Sequence, residues 1–168
     1  RRARGGGAGG VAGAASGVLQ GGGDVPAVSC PGVDGVGAGG DGVGTISSST
    51  GAGLVAASRG VGVAKHGNRA VSSETGAADV IAELGLPLDV EPATAVALLA
   101  RDPFTFLFAQ ASPPAMRPVA PVRTALAPPT TFNALGPPVN PATLPFPLTG
   151  VWAPGMLDLL HQALVPTG

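Results

Sequence analysis

The sequence predicts an α/β layered fold, and three observations carry that prediction. Short apolar runs with strand character, Val61–Ala64 and Phe104–Phe108, alternate with stretches of helical periodicity. A dense polar segment, Lys65-His66-Gly67-Asn68-Arg69-Ala70-Val71-Ser72-Ser73, begins where the first of those runs ends, which is where α/β folds gather ligands. A glycine loop, Gly37-Ala38-Gly39-Gly40-Asp41-Gly42, leads through hydroxyl residues into a predicted helix.

The elements follow in order. Residues 1–33 are too rich in glycine to order without strong burial, and they read as a low-complexity, disordered stretch. Residues 34–50 read as a Gly/Ser/Thr loop. Residues 50–59, with Ala52, Leu54, Val55, Ala56 and Ala57, predict a helix that Gly60 ends. Val61–Ala64 is a short strand running straight into Lys65. Ser72, Ser73 or Thr75 is placed to cap the next helix, whose Val80, Ile81 and Leu84 share a face before Gly85 stops it. Pro92 suits the first turn of a helix over 92–100. Phe104, Phe106 and Phe108, alternating with Thr105 and Leu107, read as a buried strand. Residues 130–135 read as another strand. Met156, Leu159, Leu160, Ala163 and Leu164 make an amphipathic helix near the end.

Composition bounds the function. The chain has 168 residues, the size of one ordinary domain. Its 28 Gly crowd residues 1–44 and its 18 Pro crowd residues 113–147, which leaves 45–110 with a normal globular composition. A net charge of −1 argues against wholesale attraction to nucleic acid or to an anionic membrane, so anion binding has to be local. The single Cys30 cannot form an internal disulfide, which makes a reducing cytoplasm the default. No apolar run reaches the ~18 residues of a membrane span. Arg1-Arg2-Ala3-Arg4 has the charge of a signal-peptide start but no hydrophobic stretch behind it. A beginning at Arg1 and an end just after a helical pattern read as cuts in a longer protein.

The polar segments suit a phosphorylated ligand. Glycines at 37, 39, 40 and 42 let backbone N–H groups approach an anion closely, and Thr45, Ser47, Ser48, Ser49 and Thr50 add hydroxyls near a helix start. Asp41 suits ribose hydroxyls or a metal's waters. The letters also satisfy G-x-G-x-x-G, but only Val33 and Val36 hint at a strand before the loop. No acid stands about 20 residues on, as a dinucleotide site needs. The loop can equally be one more stretch of a Gly-rich chain. In the second segment Lys65 supplies a point charge and Arg69 a fork for phosphate oxygens, while Asn68 can donate and accept at once. A turn would explain Gly67 and Asn68 but not the whole set. His66 is ambiguous alone, and His161 reads as an exposed helix residue. No arrangement for covalent catalysis stands out.

These residues resemble the anthranilate phosphoribosyltransferase family, of the glycosyltransferase family 3 type. Gly37–Gly42 is similar to its GTGGDG loop, and Thr45–Thr50 to its T-x-N-x-S-T segment. Lys65–Ser73 matches KHGNRAVSS letter for letter, and Gly76–Val80 resembles GSADV. Phe106–Ala109 with Pro114-Ala115-Met116 resembles FLFAPxxHPAM. Val122-Arg123, Thr131–Pro137 and Asn140-Pro141 resemble VR…TxFNxLGPLxNP.

The resemblance implies the central part of a phosphoribosyltransferase/nucleoside-phosphorylase-like α/β domain, with a mixed sheet flanked by helices and spanning 34–168. It implies transfer of the phosphoribosyl group of phosphoribosyl pyrophosphate to the amine of anthranilate, a step of tryptophan biosynthesis, with Mg²⁺ as cofactor. Phosphoribosyl pyrophosphate would be held by Gly37, Gly40, Asp41, Thr45, Ser47, Ser48, Ser49, Thr50, by Lys65, His66, Gly67, Asn68, Arg69, Ala70, Val71, Ser72 and Ser73, and by Ala77. Ser49 would touch Mg²⁺. Anthranilate would meet Gly37, Asn68 and Arg123, with His66 and Pro137 lining its path.

The chain also departs from the family. Ala38, Ser47 and Ala77 replace Thr, Asn and Ser, and Pro113 and Pro129 stand for His and Arg. The helical domain that forms the family's homodimer is not recognisable in residues 1–33, and the acidic Mg²⁺ pair would fall beyond Gly168. An inactive fragment that retains a phosphate-binding α/β core is the alternative reading.

Overall fold

The computed structural model describes residues 7, 9–10, 12–13, 16, 32–37, 47–70, 75–109, 140–142, 144–151 and 153–164. In chain order the elements are β1 (Gly32–Gly37), α1 (Ser48–Ser58), β2 (Gly62–Gly67), α2 (Ala77–Glu83), α3 (Pro92–Leu98), β3 (Phe104–Phe108), β4 (Phe146–Gly150) and α4 (Pro154–Leu164). The strands form one four-stranded sheet in the order β3-β2-β1-β4, and every pairing is parallel. The α/β class is as the sequence predicts. The mixed sheet implied by the resemblance finds no antiparallel pair among the described strands.

Two strands differ from the sequence reading. β1 occupies residues expected to be loop, and the boundary expected between 33 and 34 falls inside it. Three of its six residues are glycine, so its own strand propensity is low. Neighbours on both sides impose the conformation: β1 pairs with β4 from Val33↔Phe146 to Gly37↔Gly150. β4 was not anticipated because Pro147 cannot donate to a ladder. An edge position tolerates proline, and β4 is the last strand of the sheet, with Phe146 and Leu148 exposed. β2 runs three residues past the expected Ala64, so Lys65, His66 and Gly67 belong to the strand rather than to the loop after it. Their ladder with β3, through Lys65↔Phe106, His66↔Leu107 and Gly67↔Phe108, outweighs their polarity.

The helices follow the sequence more closely. Gly60 and Gly85 both have positive φ, as residues that end helices in the left-handed region do. Pro92 sits in the first turn of α3. The cap of α2 is Gly76, not Ser72, Ser73 or Thr75. Of residues 1–31, the described Gly9, Gly10, Ala12, Gly13 and Ser16 have helical backbone, where composition predicted no order. The helix expected over 113–131 and the strand expected over 130–135 lie outside the described residues.

Alternation along β2 and β3 divides the core between the sheet's faces. On one face Ala64 and Leu107 pack with Ala95, Val96 and Leu99 of the α3 region and with Ala142. On the other, Phe106 packs with Ala78 and Ile81 of α2. α1 lies on the second face through Thr50, Gly53 and Ala57, which are small enough to bring the helix close. A Cβ on Gly53 would stand 3.4 Å from Val63 and 4.0 Å from the Lys65 stem. Leu107 is 1% exposed at the centre of the first cluster. Leu107→Ala is therefore expected to cost about 2–5 kcal/mol in urea unfolding. Leu148→Ala on the exposed edge should change it by less than about 0.5 kcal/mol.

Candidate active site

β1 ends at Gly37 and β2 at Gly67, and the polar segments of the sequence leave the sheet at this edge. α1 begins beside the end of β1. The Ser49 hydroxyl oxygen lies 3.9 Å from where a Cβ of Gly37 would stand. Ser47 is the N-cap of α1, and its carbonyl accepts from the N–H groups of Thr50 (3.0 Å) and Gly51 (3.1 Å). The hydroxyls of Ser47 and Thr50 are 2.8 Å apart, and Thr50 is wholly buried. Thr50 is thus part of the helix start and has no face for a ligand, contrary to its expected role. Ser48 is exposed and Ser49 half-buried at the helix N-terminus, where unpaired N–H groups favour an anion.

Lys65 is 2% exposed. Its stem runs beneath Gly53 of α1, and its Nζ donates to the His66 carbonyl at 2.8 Å. That bond holds the ammonium near the C-terminal end of β2 and uses one of its three donors. Burial pushes the Lys65 ammonium below its ordinary value, and the charge of Asp34 opposes this. His66, the next residue on the strand, projects to the opposite face and is buried there. Lys65 and His66 therefore do not address a ligand from the same side of the sheet, as the resemblance had grouped them.

Asp34 was not singled out by sequence. β1 and β2 are in register at Gly32↔Gly62 and Val33↔Val63. Just above, the Asp34 carboxylate accepts from the backbone N–H of His66 and from the side-chain amide of Asn140. Asn140 also donates to the Ala64 carbonyl (3.1 Å) and accepts from the Ala142 N–H (2.9 Å). Asp34 is 3% exposed, and burial raises its pKa against the lowering effect of Asn140, Lys65 and the His66 N–H. Asp34 and Lys65 thus grip His66 by its N–H and its carbonyl, one from each strand.

The segment after β2 turns back on itself. Asn68 Oδ1 accepts from the Arg69 N–H (2.8 Å), and the Asn68 carbonyl accepts from the Ala78 N–H (3.1 Å). Asp79 accepts from Arg69 Nη1 on one oxygen and from the N–H groups of Ala70 and Gly76 on the other, each at 2.9 Å. Arg69 is thereby engaged by a carboxylate, which corrects its expected place on a phosphate. Ala77 packs against Gly67, where an added Cβ would come within 2.7 Å of it.

The Ala70 and Gly76 N–H groups hold the Asp79 carboxyl below the ordinary value of 3.8, with Arg69 adding to the effect. A depressed carboxyl contributes stability above 3.8 that is lost as pH falls through its folded value. An NMR titration is expected to place the Asp79 carboxyl below 3.8, and Ala70 and Gly76 amide shifts should move with it.

Gly40, Asp41, Thr45, Val71, Ser72, Ser73, Arg123 and Pro137 lie outside the described residues, as do Ala38, Pro113 and Pro129. Among the described residues no group of three or more His, Cys, Asp or Glu stands together, so these residues build no resident divalent-metal site. Ser49 offers one neutral oxygen, short of the carboxylate set Mg²⁺ favours. Asp34, Asn140, Gly76 and Asp79 are the residues that sequence reasoning missed. For Asp34 the signal was present, since an acid inside an apolar strand needs a reason to be buried.

The fold and the site define a class: a parallel α/β domain whose polar and glycine residues gather where adjacent strands end. Residues 30–167 match the model of the glycosyl transferase family, a/b domain, and the chain belongs to that family. Anthranilate phosphoribosyltransferase from Corynebacterium efficiens is 46% identical over 158 residues, which cover 94% of this chain and 46% of that protein. The crystal structure of anthranilate phosphoribosyltransferase from Thermus thermophilus superposes with a TM-score of 0.87 at 43% identity, covering 96% of this chain and 49% of that one. The enzyme from Saccharomyces cerevisiae in complex with PRPP and Mg gives 0.82 at 34% identity, covering 92% of this chain and 43% of the other. The chain thus spans less than half the length of these relatives. No described helix is long and apolar enough to cross a membrane.

Proposed function

We propose that this chain carries the phosphoribosyl pyrophosphate site of an anthranilate phosphoribosyltransferase, acting in the cytoplasm in tryptophan biosynthesis and, at full family length, as a homodimer. The observation that carries the reading is the convergence of Gly37, Ser49 and the start of α1 with the end of β2, where the Lys65 ammonium sits. The names of its relatives and the PRPP and Mg in the yeast structure support the same substrates.

In the transfer, the anthranilate amine nitrogen bonds to C1 of the ribose as the C1–O bond to pyrophosphate breaks. The pyrophosphate takes the electron pair and the amine gives up a proton. The sugar passes through an oxocarbenium-like state, so catalysis is mainly positioning and charge stabilisation. Lys65 supplies positive charge toward the leaving group, and the free N–H groups at the start of α1 supply more. Asn68 has its Oδ1 on the Arg69 N–H, which turns its amide N–H groups outward for a ligand. Gly37 gives the close approach a bulky residue would block. Of the remaining assignments, Arg123 would pair with the anthranilate carboxylate and Pro137 would line that path. Mg²⁺ belongs to the proposal as a companion of the pyrophosphate, with Ser49 as its candidate contact.

Incubation of the chain with anthranilate, phosphoribosyl pyrophosphate and Mg²⁺ is expected to yield N-(5-phosphoribosyl)anthranilate and pyrophosphate. Tight binding of phosphoribosyl pyrophosphate without turnover would favour the alternative, an inactive piece that retains the phosphate-binding core. The absence of a metal-binding cluster among the described residues is the observation on its side.

A further inference from the structure

Asp79 lies in the first turn of α2, and no ligand role falls to it in the reading above. It nevertheless ties together the two ends of the segment between Ala70 and Gly76. The chain leaves this point at Ala70 and returns to it at Gly76, where an added Cβ would stand 2.7 Å from the Asn68 carbonyl oxygen and against the backbone of Arg69 and Ala70. One carboxylate oxygen takes both the Ala70 and the Gly76 N–H, and the other takes Arg69. A second tie, from the Ala78 N–H to the Asn68 carbonyl, runs alongside. The ring so closed starts at Asn68 and encloses Val71, Ser72 and Ser73, the expected phosphoribosyl pyrophosphate contacts.

We infer that Asp79 is a positioning residue for phosphoribosyl pyrophosphate: by clasping Arg69, Ala70 and Gly76 it fixes the mouth of the 71–75 segment and, through it, the groups that meet the ligand. The inference rests on the proposed function. It assigns the Arg69 guanidinium to the clasp and not to the pyrophosphate. It also separates the contributions within the clasp. The ion pair is exposed, and such pairs contribute little, whereas the two backbone N–H bonds set the geometry.

Calorimetric titration of the full 168-residue chain with phosphoribosyl pyrophosphate and Mg²⁺ tests it. Asp79→Asn, which reverses the hydrogen-bonding sense of one carboxylate oxygen, is expected to raise Kd about 10-fold, the scale of one charge-assisted hydrogen bond. Arg69→Gln is expected to change it less than about 3-fold. A residue that only stabilised the fold would lower the number of binding-competent molecules and leave Kd unchanged, and that result for Asp79→Asn would overturn the inference. So would an Arg69→Gln effect as large as that of Asp79→Asn. Independently of any variant, ligand binding to the unmodified chain should increase hydrogen-exchange protection at the Ala70 and Gly76 amides, because coupling is reciprocal. Binding with unchanged protection there would overturn the inference while leaving the proposed function standing. No binding by the unmodified chain would overturn both.

Discussion

Lys65→Met is expected to weaken phosphoribosyl pyrophosphate binding about 10- to 100-fold while changing stability by no more than about 1 kcal/mol. The first figure is the loss of a charge-assisted contact to an anion. The second comes from two opposed effects. Methionine fills the space beneath Gly53 and removes a cation that burial disfavours, which is stabilising. It also takes from Asp34 a nearby positive charge, which is destabilising. Asp34 keeps the Asn140 amide and the His66 N–H, and its raised pKa eases protonation, so that loss is limited. Urea unfolding and calorimetric titration of the same preparation check both halves. Unchanged affinity would remove Lys65 from the site. A large drop in stability would mean that Lys65 and Asp34 act as one structural pair.

Gly76→Ala is expected to destabilise the chain by about 2 kcal/mol or more and to weaken ligand binding together with stability. The new methyl would meet backbone, not a movable side chain: Ala70 N, Arg69 C and Asn68 O all lie within contact distance. Relief requires the segment after β2 to lift from the start of α2, which breaks the Ala70 and Gly76 bonds to Asp79. Gly60→Ala is the matched comparison. Gly60 has a positive φ, but nothing lies near its would-be Cβ, so only the backbone preference of about 1 kcal/mol is lost. Thermal unfolding of the two variants should separate close packing from conformational freedom.

The sequence made the helix boundaries legible because glycine and proline act locally. Gly60, Gly85 and Pro92 do in the structure what their conformational limits dictate. The Phe104–Phe108 strand was legible because five apolar or β-branched residues in a row have few alternatives. β1 and β4 were not, because their conformation comes from each other: a glycine-rich segment and a proline-bearing one become strands by pairing at five positions. The site was legible as chemistry and not as geometry. Composition and motif spacing indicated anion-binding residues in 37–50 and 65–73. They could not indicate that Thr50 turns inward, that Arg69 is spent on Asp79, or that Lys65 and His66 face opposite sides of one strand. Asp34 and Asn140 meet across a long separation in sequence, and no local pattern encodes such a contact.

Amide chemical-shift mapping of the 168-residue chain on addition of phosphoribosyl pyrophosphate with Mg²⁺ tests the central claim most directly. Shifts are expected at Gly37, at Ser47 to Ser49 and at Lys65 to Ala70, with α3, β4 and α4 unmoved. Shifts centred on α3 or α4, or saturating ligand with no change at the ends of β1 and β2, would contradict it.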